Sequence, residues 1–107
     1  YMFKYINLFS DMRSLVIMKK NGCTIVNDAS HTVQKPGANK GVSSGDSRFI
    51  SPLAKAAVAI GIDALFIESH PDPSKAISDG DNSMNINELE NLLKEIIDID
   101  KTIRKGV

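Results

Sequence analysis

A short apolar run that ends in polar residues and prolines is the clearest pattern in the chain. Residues 64–67 are apolar, and they are followed by Glu68, His70, Pro71 and Pro73. An apolar run of this length between structure breakers predicts a strand buried on both faces, as in a parallel sheet. Glu68 then ends the strand, at the edge of the sheet where α/β proteins place their chemistry.

The remaining apolar periodicity predicts helices on both sides of this strand and of one earlier strand. Ser51 is the predicted N-cap of the middle helix and Gly61 its end. Gly, Ser and Asn are frequent over residues 31–47, which predicts a long loop. In chain order, the predicted elements are a helix over 7–20, a strand over 23–28, a helix over 52–60, the strand over 64–68 and a helix over 86–104.

This alternation of helices and strands predicts parallel βα units. Two strands are too few to form a buried parallel sheet by themselves. The chain also begins at Tyr1 with no initiator methionine and no helix cap. We therefore expect residues 1–107 to form the C-terminal portion of a larger α/β domain, without a separate second domain.

Composition gives no indication of a nucleic-acid or membrane partner, and it suggests a cellular compartment. The chain has 13 basic and 13 acidic residues, so its charge gives no reason to expect binding to nucleic acid or to a membrane surface. No apolar stretch reaches the roughly 20 residues that span a bilayer. Cys23 is the single cysteine, which fits a reducing compartment, and it is expected to pack as a small apolar side chain. These features predict a cytoplasmic protein.

Three residues at predicted strand ends and loops could act together. His31 follows the first strand, Glu68 ends the second, and Asp79 lies in the loop after it. The carboxyl ends of parallel strands meet at one edge of a sheet, so these side chains are expected to converge. One imidazole and two carboxylates suit a divalent metal ion. The same three groups could instead perform acid–base chemistry without metal.

Each of these residues also has a purely structural interpretation. His31 would then be a satisfied polar residue or an exposed loop side chain. Glu68 would form a salt bridge that offsets its desolvation. Asp79 would be an ordinary turn residue before Gly80, and His70 would hydrogen-bond the backbone.

Several segments together resemble one enzyme family. Residues 28–37 read Asp-Ala-Ser-His-Thr-Val-Gln-Lys-Pro-Gly, residues 65–73 read Leu-Phe-Ile-Glu-Ser-His-Pro-Asp-Pro, and residues 78–80 read Ser-Asp-Gly. With Ser44-Gly45 and residues 53–61, they resemble the 3-deoxy-D-manno-octulosonate 8-phosphate synthases. The resemblance implies the C-terminal part of a (β/α)₈ barrel with its active site at the carboxyl ends of the strands. It also implies a condensation of phosphoenolpyruvate with arabinose 5-phosphate, in the biosynthesis of the lipopolysaccharide sugar Kdo.

The resemblance also implies roles for individual residues. His31, Glu68 and Asp79 match ligands of the family's divalent metal, of the zinc, iron or manganese class. Gln34 and Ser44 match loop positions near the arabinose 5-phosphate chain. The family has a metal-independent branch, but Ser-Asp at residues 78–79 resembles the metal-dependent branch. The family typically forms homotetramers.

Some features separate this chain from the family pattern. Asp46 replaces a glycine and Phe49 replaces a glutamate. The family's phosphoenolpyruvate-binding lysines and arginine lie upstream of the matched region, so the chain alone is expected to be inactive. The alternatives are a related 3-deoxy-heptulosonate 7-phosphate synthase, or a truncated barrel remnant without catalysis.

Overall fold

The computed structural model describes residues 11–31, 34–39, 42–45, 47–77 and 83–105. Its main elements confirm the predicted order of helix, strand, helix, strand and helix. In chain order, they are α1 (Met12–Lys20), β1 (Val26–Asp28), β2 (Gln34–Asn39), β3 (Val42–Gly45), α2 (Ile50–Ile60), β4 (Ala64–Phe66), β5 (Ser69–His70), β6 (Met84–Asn85) and α3 (Ile86–Lys105). Two 3₁₀ turns cover Ser47–Phe49 and Pro73–Lys75.

Strands β1 and β4 are parallel neighbours, as predicted, with Asp28 opposite Phe66 in the register. The prediction that such a strand is buried on both faces is wrong within this chain. Val26 is 63% exposed and Phe66 45% exposed, whereas Ile25 on the alternate face is 3% exposed. Side chains alternate between the faces of a strand, and the described helices pack on one face only.

The helices cover this single face of the β1–β4 pair. Helix α2 packs against both α1 and α3. Leu65 and Ile96 contact both of the apolar clusters that result. The buried members of the first cluster are Ala29, Ile50, Ala54, Met84 and Leu92, and those of the second are Leu15, Ile25, Ala57, Val58 and Ile62.

Three local predictions are corrected by the structure. The predicted loop over 31–47 contains an antiparallel pair, β2 and β3. Its strands lack apolar alternation, so periodicity could not reveal a pair held by backbone hydrogen bonds. Ser51 is not an N-cap, because α2 begins at Ile50 and Phe49 precedes it without a side-chain cap. Cys23 is exposed and precedes β1, which starts only at Val26.

The ends of α1 are stabilised by neighbouring polar groups. Asp11 caps its start by accepting a hydrogen bond from the Arg13 backbone N–H, and residues 7–10 of the predicted helix lie outside the described residues. The side-chain hydrogen bond from Arg13 lowers the pKa of the Asp11 carboxyl. At the other end, Lys19 Nζ donates to the Gly61 carbonyl at 2.7 Å. Gly61 ends α2 with a left-handed φ of 99°, as its glycine predicts.

Hydrogen bonds join β1 and β4 at both ends. At the start, the Ile25 N–H donates to Asp63 Oδ2 at 2.8 Å. At the carboxyl end, the Ala29 N–H donates to the Phe66 carbonyl at 3.0 Å. Beyond this bond, where the chain leaves the two strands, the Glu68 N–H donates to the buried Ser30 Oγ at 2.6 Å.

Among the helices in the described ranges, none is both long and apolar enough to cross a membrane.

Replacing Ser30 by alanine is expected to lower the free energy of unfolding by about 1–3 kcal/mol, because the Glu68 N–H would lose its partner. Denaturant unfolding of the full-length gene product measures the change. Ser14→Ala is the matched control, since within the described ranges the exposed Ser14 Oγ donates only to the local Asp11 carbonyl. That control should stay within about 0.5 kcal/mol of the unsubstituted protein. Equal stability of the two variants would contradict a stabilising role for the Ser30–Glu68 hydrogen bond.

Replacing Asn27 by leucine is expected to raise the free energy of unfolding by about 1–3 kcal/mol. Asn27 is 7% exposed, and its Nδ2 has no hydrogen-bond partner within the described part of the chain. Leucine has a similar shape and no polar atom to desolvate. The control is Asn91→Leu on the exposed side of α3, and the same unfolding measurement applies. A loss of stability specific to Asn27→Leu would refute the prediction.

Candidate functional site

The candidate site lies at the carboxyl ends of β1 and β4. The Ser30–Glu68 hydrogen bond joins the two loops that leave these strands. His31 directly follows Ser30, so its backbone lies next to the backbone of Glu68. The two loops are therefore close together, although Ser30 and Glu68 are 38 residues apart in sequence. The meeting of the His31, Glu68 and Asp79 side chains stays a prediction.

A third loop reaches the same place through the backbone of Glu68. The Glu68 carbonyl accepts a hydrogen bond from the Met84 N–H at 2.9 Å. The parallel pair β5–β6 continues this contact, with Ser69 opposite Met84. Residues 78–82, which include Asp79, lie outside the described residues. The chain that follows them returns directly to Glu68.

The side chain of Glu68 is half-buried. Within the described ranges, it has no salt-bridge partner. The described residues therefore give no support to the interpretation of Glu68 as a salt-bridge residue. A carboxylate held in place by its backbone is suited to bind a cation or substrate.

Asp28 organises the loop that carries His31. Its Oδ1 accepts hydrogen bonds from the backbone N–H groups of Ser30 at 3.0 Å and His31 at 2.9 Å. Its Oδ2 lies 2.7 Å from His31 Nδ1. The ring of His31 also lies 6.2 Å from the ring of Phe66, centroid to centroid. Both the backbone and the imidazole of His31 are therefore held by neighbours.

His70 has a different role. Its Nδ1 accepts a hydrogen bond from the Asp72 backbone N–H at 2.9 Å. This confirms the structural interpretation of His70 as a residue that hydrogen-bonds the backbone. Asp72 itself caps the 3₁₀ turn over Pro73–Lys75 by accepting from the Ser74 N–H.

Gln34 and Ser44 lie on the paired strands β2 and β3. In the register, Gln34 is opposite Gly45 and Lys35 is opposite Ser44. Their backbones are thus close together, on a ribbon that begins three residues after His31. The positions of their side chains lie outside what the structure describes.

The residues at this rim suit a divalent ion by their chemistry. An imidazole and carboxylates are ligands of borderline metals such as Zn²⁺. His31 and Glu68 come from two loops that are hydrogen-bonded to each other. No group of three metal-ligating side chains occurs among the described residues, which do not include Asp79.

Sequence reasoning did not assign a role at this site to Asp28 or Ser30. An aspartate two residues before a serine at the end of a strand is a signal for an Asx-turn. That signal could have indicated the cap by Asp28. The partner of Ser30 lies on another strand, so no local pattern could reveal it.

A cavity of ≈ 210 Å³ lies between α2, α3 and the start of β4. Asp63, Ile97 and Arg104 contribute to its lining. It is at the amino end of β4, whereas Glu68 follows the carboxyl end. The cavity is therefore not the candidate site.

Known proteins closely match the chain in sequence. A 2-dehydro-3-deoxyphosphooctonate aldolase from Legionella pneumophila (strain Corby) is 54% identical over 103 residues, which are 96% of this chain and 38% of the relative. The protein of the same name from Xanthomonas campestris pv. campestris (strain B100) is 50% identical over 96% of this chain and 37% of the relative. This name is a synonym of the synthase that the sequence resembles, so the resemblance is confirmed. The chain spans just over a third of the length of these relatives.

The fold is also found in solved structures. A phospho-2-dehydro-3-deoxyheptonate aldolase from Thermotoga maritima matches with a TM-score of 0.78 and 27% identity, over 96% of this chain and 28% of its own. A truncated 3-deoxy-D-arabino-heptulosonate 7-phosphate synthase from the same organism matches with the same TM-score and identity, over 36% of its own chain. The fold is that of part of a (β/α)₈ barrel, as predicted.

In such a barrel, active sites lie at the carboxyl ends of the strands, where His31 and Glu68 are located. The model of the DAHP synthetase I family matches residues 1–105, nearly the whole chain. On this match, and on the identity to the curated relatives, the chain belongs to the DAHP synthetase I family.

Proposed function

We propose that the full-length gene product is a 3-deoxy-D-manno-octulosonate 8-phosphate synthase, a transferase that condenses phosphoenolpyruvate with D-arabinose 5-phosphate. The observation that carries the proposal is the 54% identity over 96% of the chain to a relative named for the octonate product. Identity to the heptonate enzymes of solved structure is 27%. The octonate reaction is therefore favoured over the heptonate alternative.

The reaction joins two substrates through one new carbon–carbon bond. Carbon 3 of phosphoenolpyruvate attacks the sugar aldehyde, whose oxygen takes up a proton. Water adds at carbon 2, and the bond between carbon 2 and the phosphate oxygen breaks. The products are the eight-carbon keto acid phosphate and inorganic phosphate.

In this proposal, His31, Glu68 and Asp79 hold a divalent ion of the zinc, iron or manganese class. When bound, the ion supplies positive charge that orients substrate and polarises the aldehyde. Two observations support the set: the Ser30–Glu68 hydrogen bond between the loops, and the return of the chain to Glu68 at Met84. In the alternative, metal-independent branch, the same side chains orient the substrates and move protons without an ion.

Gln34 and Ser44 are proposed to contact the arabinose 5-phosphate chain. Their strands are paired, and the ribbon starts three residues after His31. A ribbon anchored beside a ligand residue can hold the sugar phosphate close to the reacting carbon. Both residues offer neutral hydrogen-bonding groups, which suit hydroxyl and phosphate oxygens.

The remaining expectations concern the whole protein. The family match over residues 1–105 supports a single barrel domain throughout this chain. We propose that the gene product is a cytoplasmic homo-oligomer, a tetramer by resemblance to the family, and that it supplies a precursor of Kdo. The balanced charge of residues 1–107 gives no reason to expect this part of it to bind nucleic acid or a membrane.

The full-length gene product is expected to release phosphate when given phosphoenolpyruvate with arabinose 5-phosphate. A four-carbon aldose phosphate would yield the seven-carbon product of the heptonate enzymes. It should replace the pentose poorly, because the chain is 54% identical to an octonate enzyme and 27% identical to a heptonate enzyme. Phosphate release is measured with each sugar, with and without added Mn²⁺ or Zn²⁺. Preference for the four-carbon sugar would favour the heptonate reaction. No release under any of these conditions would indicate a non-catalytic barrel.

His31→Ala in the full-length gene product is expected to reduce bound metal from about one ion per subunit to nearly none, because an imidazole ligand is lost. Elemental analysis after dialysis measures the stoichiometry. The matched control is His70→Ala, since His70 Nδ1 already accepts the Asp72 N–H. That variant should retain the ion. Unchanged metal content in His31→Ala would refute His31 as a ligand.

A further inference from the structure

The two histidines of the chain sit in opposite hydrogen-bonding environments. His31 Nδ1 lies 2.7 Å from Asp28 Oδ2. An ionised carboxylate only accepts hydrogen bonds, so His31 Nδ1 carries a proton. His70 Nδ1 instead accepts the Asp72 N–H, so it carries none. The neutral forms of the two rings are therefore different tautomers.

This difference decides which ring nitrogen can ligate a cation. In the Nδ1–H tautomer of His31, the lone pair that binds metal is on Nε2. In His70, the Nδ1 lone pair is already used by the Asp72 N–H. Ring orientation at His31 is further restricted by Phe66, whose ring lies 6.2 Å away at an interplanar angle of 32°.

The Asp28–His31 contact is poorly placed to contribute much stability. The two side chains are 41% and 37% exposed, respectively, and exposed ion pairs stabilise proteins little. The backbone hydrogen bonds of Asp28 Oδ1 hold the carboxylate in one orientation, with Oδ2 towards the ring. Such an arrangement suits a residue that orients its neighbour.

We propose that Asp28 is a positioning residue that holds His31 as the Nδ1–H tautomer, with Nε2 as the ligand atom for a divalent cation. The proposal rests on the proposed metal site and adds a residue to it. Metal-binding histidines commonly donate their second ring N–H to a carboxylate, and loss of that partner weakens metal binding about 10- to 100-fold.

Asp28→Asn separates the effect of Asp28 on the His31 ring from its second function, which is to accept the backbone N–H groups of Ser30 and His31. The asparagine Oδ1 can still accept from the backbone N–H groups of Ser30 and His31, so the turn is kept. Its amide then presents a donor to His31 Nδ1, which must accept. The His31 proton moves to Nε2, and the lone pair that would bind metal is lost.

The experiment has two readouts in the full-length gene product. Long-range ¹H–¹⁵N correlation spectra of metal-free, histidine-labelled protein identify the tautomer of each ring, and His31→Gln and His70→Gln variants assign the signals. Titration with Zn²⁺ against a chromophoric chelator measures affinity. We expect an Nδ1–H signal for His31, its change to Nε2–H in Asp28→Asn, and zinc binding weakened about 10- to 100-fold.

Asp72→Asn is the matched control. It makes the same substitution in a capping aspartate beside the other histidine, but the contact to His70 comes from the backbone N–H and is kept. Both tautomers and the zinc affinity should stay unchanged. If Asp28→Asn fails to fold, Asp28→Ser keeps a turn-capping acceptor and removes the ring contact, and it should weaken zinc binding similarly.

Three results would overturn the proposal. They are an Nε2–H signal for His31 in the unsubstituted protein, an unchanged tautomer in Asp28→Asn, and zinc affinity within twofold of the unsubstituted protein in Asp28→Asn. If the tautomer changes as expected but neither Asp28→Asn nor His31→Ala alters zinc binding, the proposed metal site itself is wrong. If only His31→Ala abolishes binding, the metal site stands and the role of Asp28 is refuted.

Discussion

The hydrogen bond from the Glu68 N–H to the buried Ser30 hydroxyl is the contact on which the candidate site depends. It joins the two loops at the carboxyl ends of β1 and β4. One of its partners, Ser30, directly precedes the candidate ligand His31, and the other is the backbone of the candidate ligand Glu68. The Glu68 carbonyl extends the contact to Met84. The backbone of Glu68 therefore connects all three loops that carry the proposed ligands.

This contact requires the parallel register of β1 and β4. At the amino ends, the Asp63 carboxylate receives the Ile25 N–H, and the Ile25 carbonyl receives backbone N–H groups in return. A one-residue slip would reverse which face each side chain occupies. It would also move Ser30 away from the Glu68 N–H. Hydrogen bonds at the amino ends of the strands therefore help to position Ser30 and Glu68 at their carboxyl ends.

The exposed face of the β1–β4 pair agrees with its place in a barrel. Val26 and Phe66 project from the face opposite the helices. In a (β/α)₈ barrel, the helices form an outer ring and the other face of the strands points into the packed interior. Among the described residues, β1 and β4 are two neighbouring strands of that barrel, and the helices cover only their outer face. The His31 ring lies 6.2 Å from the ring of Phe66, a residue of this exposed face.

Periodicity along the sequence determined the helices α1, α2 and α3, the two parallel strands and the left-handed end of α2 at Gly61, because these features follow from local spacing and residue type. The β2–β3 pair was missed because its pairing depends on backbone hydrogen bonds rather than on an apolar pattern. The motifs also indicated His31 and Glu68. Only the tertiary structure decided that Ser30 links their loops and that Asp28 Oδ2 lies beside His31 Nδ1. Those contacts depend on strand register and side-chain direction, which residues far apart in sequence acquire only when the parallel pair forms.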